Sequence, residues 1–304
     1  MAYQSPHVRH LAWCLFSEPM AQVPNAQALT IEPSLEIQQW LKQLDENPQP
    51  LIEYLARNNA RLLGSYFECL WQFFFQNAPD WQLLAHHFQV FEGKQTLGEL
   101  DILARTAQQD WHIELAVKFY LLPKANNGQT LKDWIGPQSH DRLDKKINKF
   151  VEKQLPFLHH DQTELFLQQH QLPSDFQQAV ALKGYLFVHI FDTPLPFHPN
   201  INPNVEMGKW LHASETHQLF EKDFNWVVLP KLDWLGGYDV KQNDLPILDS
   251  QASSHYIQNH FTASPYPYAL MLVKLDETQQ HEVERFLVVH DQWPTPVKKP
   301  KKIN

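Results

Sequence analysis

Cysteine is almost absent from this chain of 304 residues, with Cys14 and Cys69 the only two. No CxxC pair exists, which excludes a structural zinc site built on thiolates and argues against a disulfide framework. Such usage suits a reducing compartment. Glycine is scarce as well, at nine residues. None of them falls in a GxGxxG, a Walker loop or a GxSxG elbow, so dinucleotide-binding, P-loop and serine-hydrolase chemistry lack their usual carriers. No run approaches the roughly 20 apolar residues of a membrane span. The short apolar stretch from Leu11 to Phe16 is too brief for a signal-peptide core and reads as part of a buried amphipathic helix. A cytoplasmic protein with no membrane segment is expected. The formal net charge of −9 rules out a surface coated in basic residues, but not a local basic cleft.

What the chain does have is bulk. Ten Trp and nineteen Phe in a 43% apolar composition supply enough material for a sizeable core. Seventeen histidines invite a metal reading. However, the adjacent pairs His86–His87 and His159–His160 would diverge on a strand, and "HIE" at 112–114 lacks the cysteine pair of a zinc deaminase. Most of the histidines are therefore read as surface or core residues.

Proline punctuates the chain at 47–50, at 192–204 and in the terminal "WPTPVKKPKKIN". Residues 31–44 carry amphipathic helical spacing, and 51–76 read as one long helix or a pair. In the latter, Leu63, Phe67, Leu70 and Phe74 form a buried stripe. Arg57, Arg61, Gly64, Glu68 and Gln72 form a polar one. Strand-like segments at 81–92, 97–105 and 111–122 are joined by short connections, the pattern of an antiparallel meander. A helix follows, with Pro137 near its start and Leu143, Ile147 and Phe150 on its inner face. Further strands are expected at 182–191, 224–232, 266–275 and 284–290. The fold class is α/β, a mixed central sheet flanked by helices. The expected divisions are a helical N-terminal extension over 1–50, an α/β core over 51–191, and C-terminal strands with a basic tail over 192–304 in the same domain.

Two of the predicted strands contain charge where burial is expected. Glu99 and Asp101 lie in "GELDILAR", and Glu114 and Lys118 in "HIELAVKFYL". Side chains alternate along a strand, so Glu114 and Lys118 share a face, as do Glu99 and Asp101. If Asp101 and Glu114 point to the same side of neighbouring strands, two carboxylates converge and repel unless a cation or proton lies between them. Mg²⁺ or Mn²⁺ suits oxygen ligands of this kind, and a nearby lysine can orient an attacking water. The plain alternative is two unrelated acidic residues on opposite or exposed faces.

"GELDILAR" followed by Glu114 in an apolar strand resembles the PD-(D/E)XK nuclease superfamily. The blocks "VRHLAWCLFSEP", "RLLGSYFECLW", "HIELAVKFYL", "GPQSHDRLDKKI" and "ERFLVVHDQWP" are similar to an uncharacterised bacterial family within it, domain of unknown function 1853. The resemblance implies a helix, a three-stranded meander, a second helix and a fourth strand. It also implies Mg²⁺-dependent cleavage of DNA, with Asp101, Glu114 and Glu68 at the metal. The superfamily lysine stands two residues after the acid, a position that Ala116 occupies here. The resemblance hands its role to Lys118, two places later. From 118 to 153 the chain carries eight basic and four acidic residues, a local excess of four positive charges. Arg142, Lys145, Lys146 and Lys149 are the candidate phosphate contacts there, the alternative being an ordinary solvated helix face. A catalytically inactive nuclease fold that binds nucleic acid or a protein partner, and a core with no site, are the rival functional readings.

Overall fold

The computed structural model describes residues 3–192, 197–220, 224–240, 245–264 and 267–295. The expected basic tail after residue 295, the central part of the 192–204 loop and Tyr266 of the expected 266–275 strand lie outside these. The chain forms two compact units. The first comprises Met1–Lys118, Lys146–Gly184 and Pro199–Val205, and the second Phe119–Lys145, Tyr185–His198 and Glu206–Asn304.

In the first unit, α1 (Pro6–Phe16) opens with proline at its first position, where the missing N–H has no helical partner to lose. It buries Val8, Leu11, Trp13, Cys14 and Leu15, the expected amphipathic face. The Ser34 side chain caps α2 (Leu35–Glu46) by accepting from Ile37 N at 3.2 Å. The helical stretch 51–76 is a pair: α3 (Gln49–Arg57) and α4 (Leu63–Asn77). The polar stripe read across both is therefore broken, since Arg57 ends α3 and Arg61 lies in the connection. Gln72 is not on a polar face either. It is 1% exposed and accepts from the Tyr54 hydroxyl. The apolar stripe Leu63, Phe67, Leu70 and Phe74 is buried as expected. The helix stops at Asn77 because Ala78 precedes Pro79, which drives it to an extended conformation with ψ 152°.

The antiparallel meander follows as β2 (Gln82–Glu92), β3 (Gln95–Arg105) and β4 (Asp110–Leu121). Gly93, with φ +60°, takes the first position of the two-residue β2–β3 loop, a left-handed geometry that glycine adopts without strain. Arg105 closes the next hairpin with a two-bond contact to its cross-strand partner Asp110 at 2.6 and 3.1 Å. The helix after the meander starts later than expected. Pro137 lies in a turn, and α5 spans only Leu143–Lys149 before a π-helical segment over Phe150–Gln154. A helix not expected from the sequence, α6 (Asp161–Gln169), sets Leu167 in a cluster with Leu100, Leu103, Leu158 and Phe176. The long strand β5 (Gln177–His189) follows β4 in strand order, and a two-residue strand, β1 (Gln27–Ala28), pairs parallel with its start.

The second unit carries β6 (Met207–His212), β7 (Trp226–Leu229), β8 (Leu270–Leu275) and β9 (Glu282–Val289) in the order β5-β6-β9-β8-β7. The β5–β6 and β6–β9 pairs are parallel, whereas β9–β8 and β8–β7 are antiparallel. The helix α7 (Ser250–Ala263), capped by Asp249, sets Ile257 against Leu211, Trp226, Leu272, Phe286 and Val288. Arg285, 3% exposed, is held by Glu282 and by the carbonyls of Trp234 and Gly236, with the Tyr185 ring 4.6 Å away. Neutralised in this way, a guanidinium can be buried. Among the described residues no helix is long and apolar enough to cross a membrane.

Gly184 in β5 has φ +137°, and a Cβ there would sit 1.7 Å from the Lys118 carbonyl oxygen. Gly64, at the start of α4, has nothing within 4 Å of an added Cβ. Gly184→Ala should therefore cost about 3 kcal/mol or more, since backbone must move. Gly64→Ala should stabilise by up to about 1 kcal/mol through helix propensity. Urea denaturation of the two variants reads both signs.

Candidate functional site: a coupled carboxylate pair

The β3–β4 register pairs Ile102 with Ile113, and Asp101 and Glu114 stand immediately beyond that pair. Their carboxyls are close enough for each to affect the other's protonation. Asp101 is half-buried, and its Oδ2 accepts from the backbone N–H of Leu115 at 2.8 Å. Glu114 is fully buried. Its Oε1 accepts from His112 Nε2 at 2.9 Å, and its Oε2 accepts from the Gln154 amide.

The His112 tautomer follows from its second bond. Gln178 Nε2 stands 3.1 Å from His112 Nδ1 and donates to the Leu155 carbonyl at 2.7 Å. An amide nitrogen can only donate, so Nδ1 accepts and Nε2 carries the proton given to Glu114. Burial pushes the His112 pKa down to about 4, which keeps the ring neutral. Gln154 in turn accepts from Lys146 Nζ at 3.1 Å. Its position depends on the π-helical segment, where Leu155 N reaches back five residues to the Phe150 carbonyl at 2.9 Å. The wider turn shifts the register by one residue, a distortion common at functional sites.

Burial raises the pKa of both carboxyls well above the ordinary range, and for Asp101 the Glu114 charge adds to the shift. Lys146 moves the other way, down to about 8. Burial is the main cause, followed by the charges of Lys149 and Lys118. The carboxylates of Asp101 and Glu114 oppose that shift.

An open cavity of about 690 Å³ adjoins the pair. Glu68, His87, Glu99, Asp101, Lys149, Lys153 and Gln154 are among its lining residues. Glu68, presented by α4, has a raised pKa, through burial first and then the Asp101 charge. His87 bonds Glu99 at 2.6 Å and lies 3.6 Å from Glu68. It adopts φ +46°, an unfavourable conformation for a residue with a Cβ. His87 was passed over in the sequence as a member of a diverging pair, and only backbone strain distinguishes it.

The other predicted residues fall as follows. Glu68 and Asp101 face the cavity together, and Glu114 lies behind Asp101. Lys118 is half-buried and is not among the lining residues. The four candidate phosphate contacts do not behave alike. Arg142 is tied to Asp144 at 2.8 and 2.6 Å, Lys145 and Lys149 are exposed, and Lys146 is half-buried against the carboxyl pair. Gln154, Gln178 and His112 were missed. Neutral amides carry no charge pattern, and nothing in sequence spacing announces a π-helical turn.

Among the described residues no group of three or more His, Cys, Asp and Glu is arranged to hold a metal ion. The donors present are hard carboxylate oxygens without a histidine or thiolate set. That fits a water-rich cation such as Mg²⁺ or Mn²⁺, which needs only one or two carboxylates, and does not fit zinc.

A family model described as Domain of unknown function (DUF1853) matches residues 9–289. No curated protein and no solved structure matches the chain.

Both carboxyls bind protons more tightly in the folded than in the unfolded chain. Their contribution is therefore intact below the ordinary carboxylate range and is lost as pH rises through it towards the raised folded values. Asp101→Asn keeps an acceptor for the Leu115 N–H but removes the coupling. In EDTA, wild type should lose about 1–2 kcal/mol relative to this variant between pH 4.5 and 7.5. Parallel urea-stability curves would show that the pair is not coupled.

Proposed function

The chain belongs to the DUF1853 family, and from its carboxylate pair we propose that it is a PD-(D/E)XK-type nuclease cleaving DNA phosphodiester bonds with Mg²⁺ or Mn²⁺. The observation that carries this reading is the coupling of Asp101 and Glu114 across neighbouring strands beside an open cavity. Buried carboxyls forced together favour a cation or a shared proton. Asp101 and Glu114 would hold the ion, and Glu68 would orient one of its waters. When bound, such an ion neutralises charge on a phosphate and makes water a better nucleophile.

The chain's own residues supply the rest. The exposed amines of Lys149 and Lys153 at the cavity suit phosphate oxygens. Lys146 takes the role given to Lys118 from sequence, because its amine interacts with both carboxyls. With a pKa of about 8 it can give or take a proton near neutral pH. Lys118 contributes through its charge, which helps lower Lys146. Gln154 links the amine to Glu114 and fixes the distance between them.

The second reading is an inactive nuclease fold that binds nucleic acid or a protein partner. Two observations favour it: Glu114 already has both oxygens engaged, by His112 and Gln154, and Ala116 stands at the usual lysine position. Calorimetric titration with Mn²⁺ and a cleavage assay separate the two. The active reading expects millimolar or tighter binding of one ion in wild type, lost in Asp101→Asn together with cleavage. Lys146→Ala should slow cleavage by roughly 10²–10⁴-fold, and Lys118→Ala by much less, with ion binding kept in both. Wild type that binds no ion and cuts neither linear nor branched DNA leaves only the binding reading.

A further inference from the structure

The sheet of the second unit holds another cavity, of about 260 Å³. Four aromatic residues line it: Phe191, Phe224, Trp226 and Phe286. The strands set its floor by register. Trp226 on β7 faces Lys274 on β8, which faces Glu284 on β9, while Lys209 on β6 faces Phe286 on β9. Phe191 is 69% exposed, so its ring is open to a bound group. The Lys274 ammonium lies 3.5 Å from the centre of the Phe224 ring, although Glu284 is its direct cross-strand neighbour. Lys209 Nζ donates to the Asp192 carbonyl at 2.9 Å and has further N–H donors to give.

Two polar atoms of the lining residues have no hydrogen-bond partner among the described residues. One is the indole N–H of Trp226, a residue 1% exposed, and the other is the buried Oε1 of Gln218. A buried donor and a buried acceptor left unpaired are both unfavourable. A lipid chain would cover the rings and leave the amines of Lys209 and Lys274 without an anion. A free anion would use the lysines and leave the aromatic wall bare. A nucleobase has a flat π-face, carries donors and acceptors side by side on one edge, and brings a phosphate with it. Glu284, the only carboxylate lining the cavity among the described residues, favours a base with an exocyclic amine. The volume lies below the roughly 300–1,000 Å³ of drug-sized pockets and suits a single nucleotide.

We propose that this cavity binds one unpaired nucleotide, its base against Phe191 and Phe224 and its phosphate at Lys209 and Lys274. The proposal does not depend on the carboxylate pair of the first unit. Its test is fluorescence anisotropy of the full chain in EDTA, where no metal-dependent chemistry contributes. The probes are a labelled ten-nucleotide dA strand, an abasic strand of the same length, and dAMP as competitor. Phe191→Ala should weaken the dA strand roughly 5- to 150-fold, the span of one lost base stack. The abasic strand should bind weakly and ignore that change. Lys209→Ala and Lys274→Ala should each flatten the log–log salt slope by roughly 0.7. Displacement by dAMP would identify the free nucleotide as a sufficient ligand, and resistance to it a polynucleotide strand. Equal binding of the dA and abasic strands, or a Phe191→Ala variant that binds dA as wild type does, would overturn the proposal.

Discussion

Asp101 and Glu114 are placed by the β3–β4 register where neither can be fully solvated and each feels the other. Much of the first unit around them is arranged to make this tolerable. The Leu115 N–H, the neutral His112 ring and the Gln154 amide each give one hydrogen bond. None of these donors carries a full charge, so the pair is solvated by the protein without being cancelled by an ion pair. A nearby cation is Lys146, whose own pKa is lowered because it too is desolvated. Charges left only partly compensated in a buried setting gain strongly from an added cation. This is the physical basis for reading the cluster as a site and not as ordinary packing.

The elements that hold this cluster were largely legible in the sequence. Alternation with short turns gave the meander, and the apolar stripe gave α4. The conspicuous charges at 101 and 114 could be read because charge inside an apolar strand is rare enough to demand a reason. What was not legible has a common cause. The support of Glu114 comes from His112, Gln154 and Gln178, polar residues of types that occur throughout this histidine- and glutamine-containing chain. Their roles arise from tertiary contacts across 23 to 66 positions of sequence. The strand β6, "MGKWLH", and the helix α7, "SQASSHYIQNHFTA", carry too few apolar residues to show a period. Burial of Ile257 against the neighbouring strands, and the Asp249 cap, make α7 a helix.

The basic run from 118 to 153 shows why a charge count is not a surface. In sequence it is one patch with four excess positive charges. In the structure Arg142 is occupied by Asp144, Lys146 is half-buried at the carboxyl pair, and Lys149 and Lys153 are exposed at the cavity. Basic residues therefore serve three physical ends here, set by burial and not by spacing. It also explains how a chain of net charge −9 can present amines to phosphate at one place.

The central claim is that Asp101 and Glu114 form a cation site. Its most direct test is a crystal of the wild-type protein soaked in Mn²⁺, with anomalous diffraction recorded at the manganese edge. The account predicts one peak within coordination distance of Asp101, roughly 2.0–2.3 Å for a hard divalent ion of this kind, with Glu114 turned from Gln154 towards it. Crystals that diffract well, show no peak there and keep Glu114 on His112 and Gln154 would contradict it.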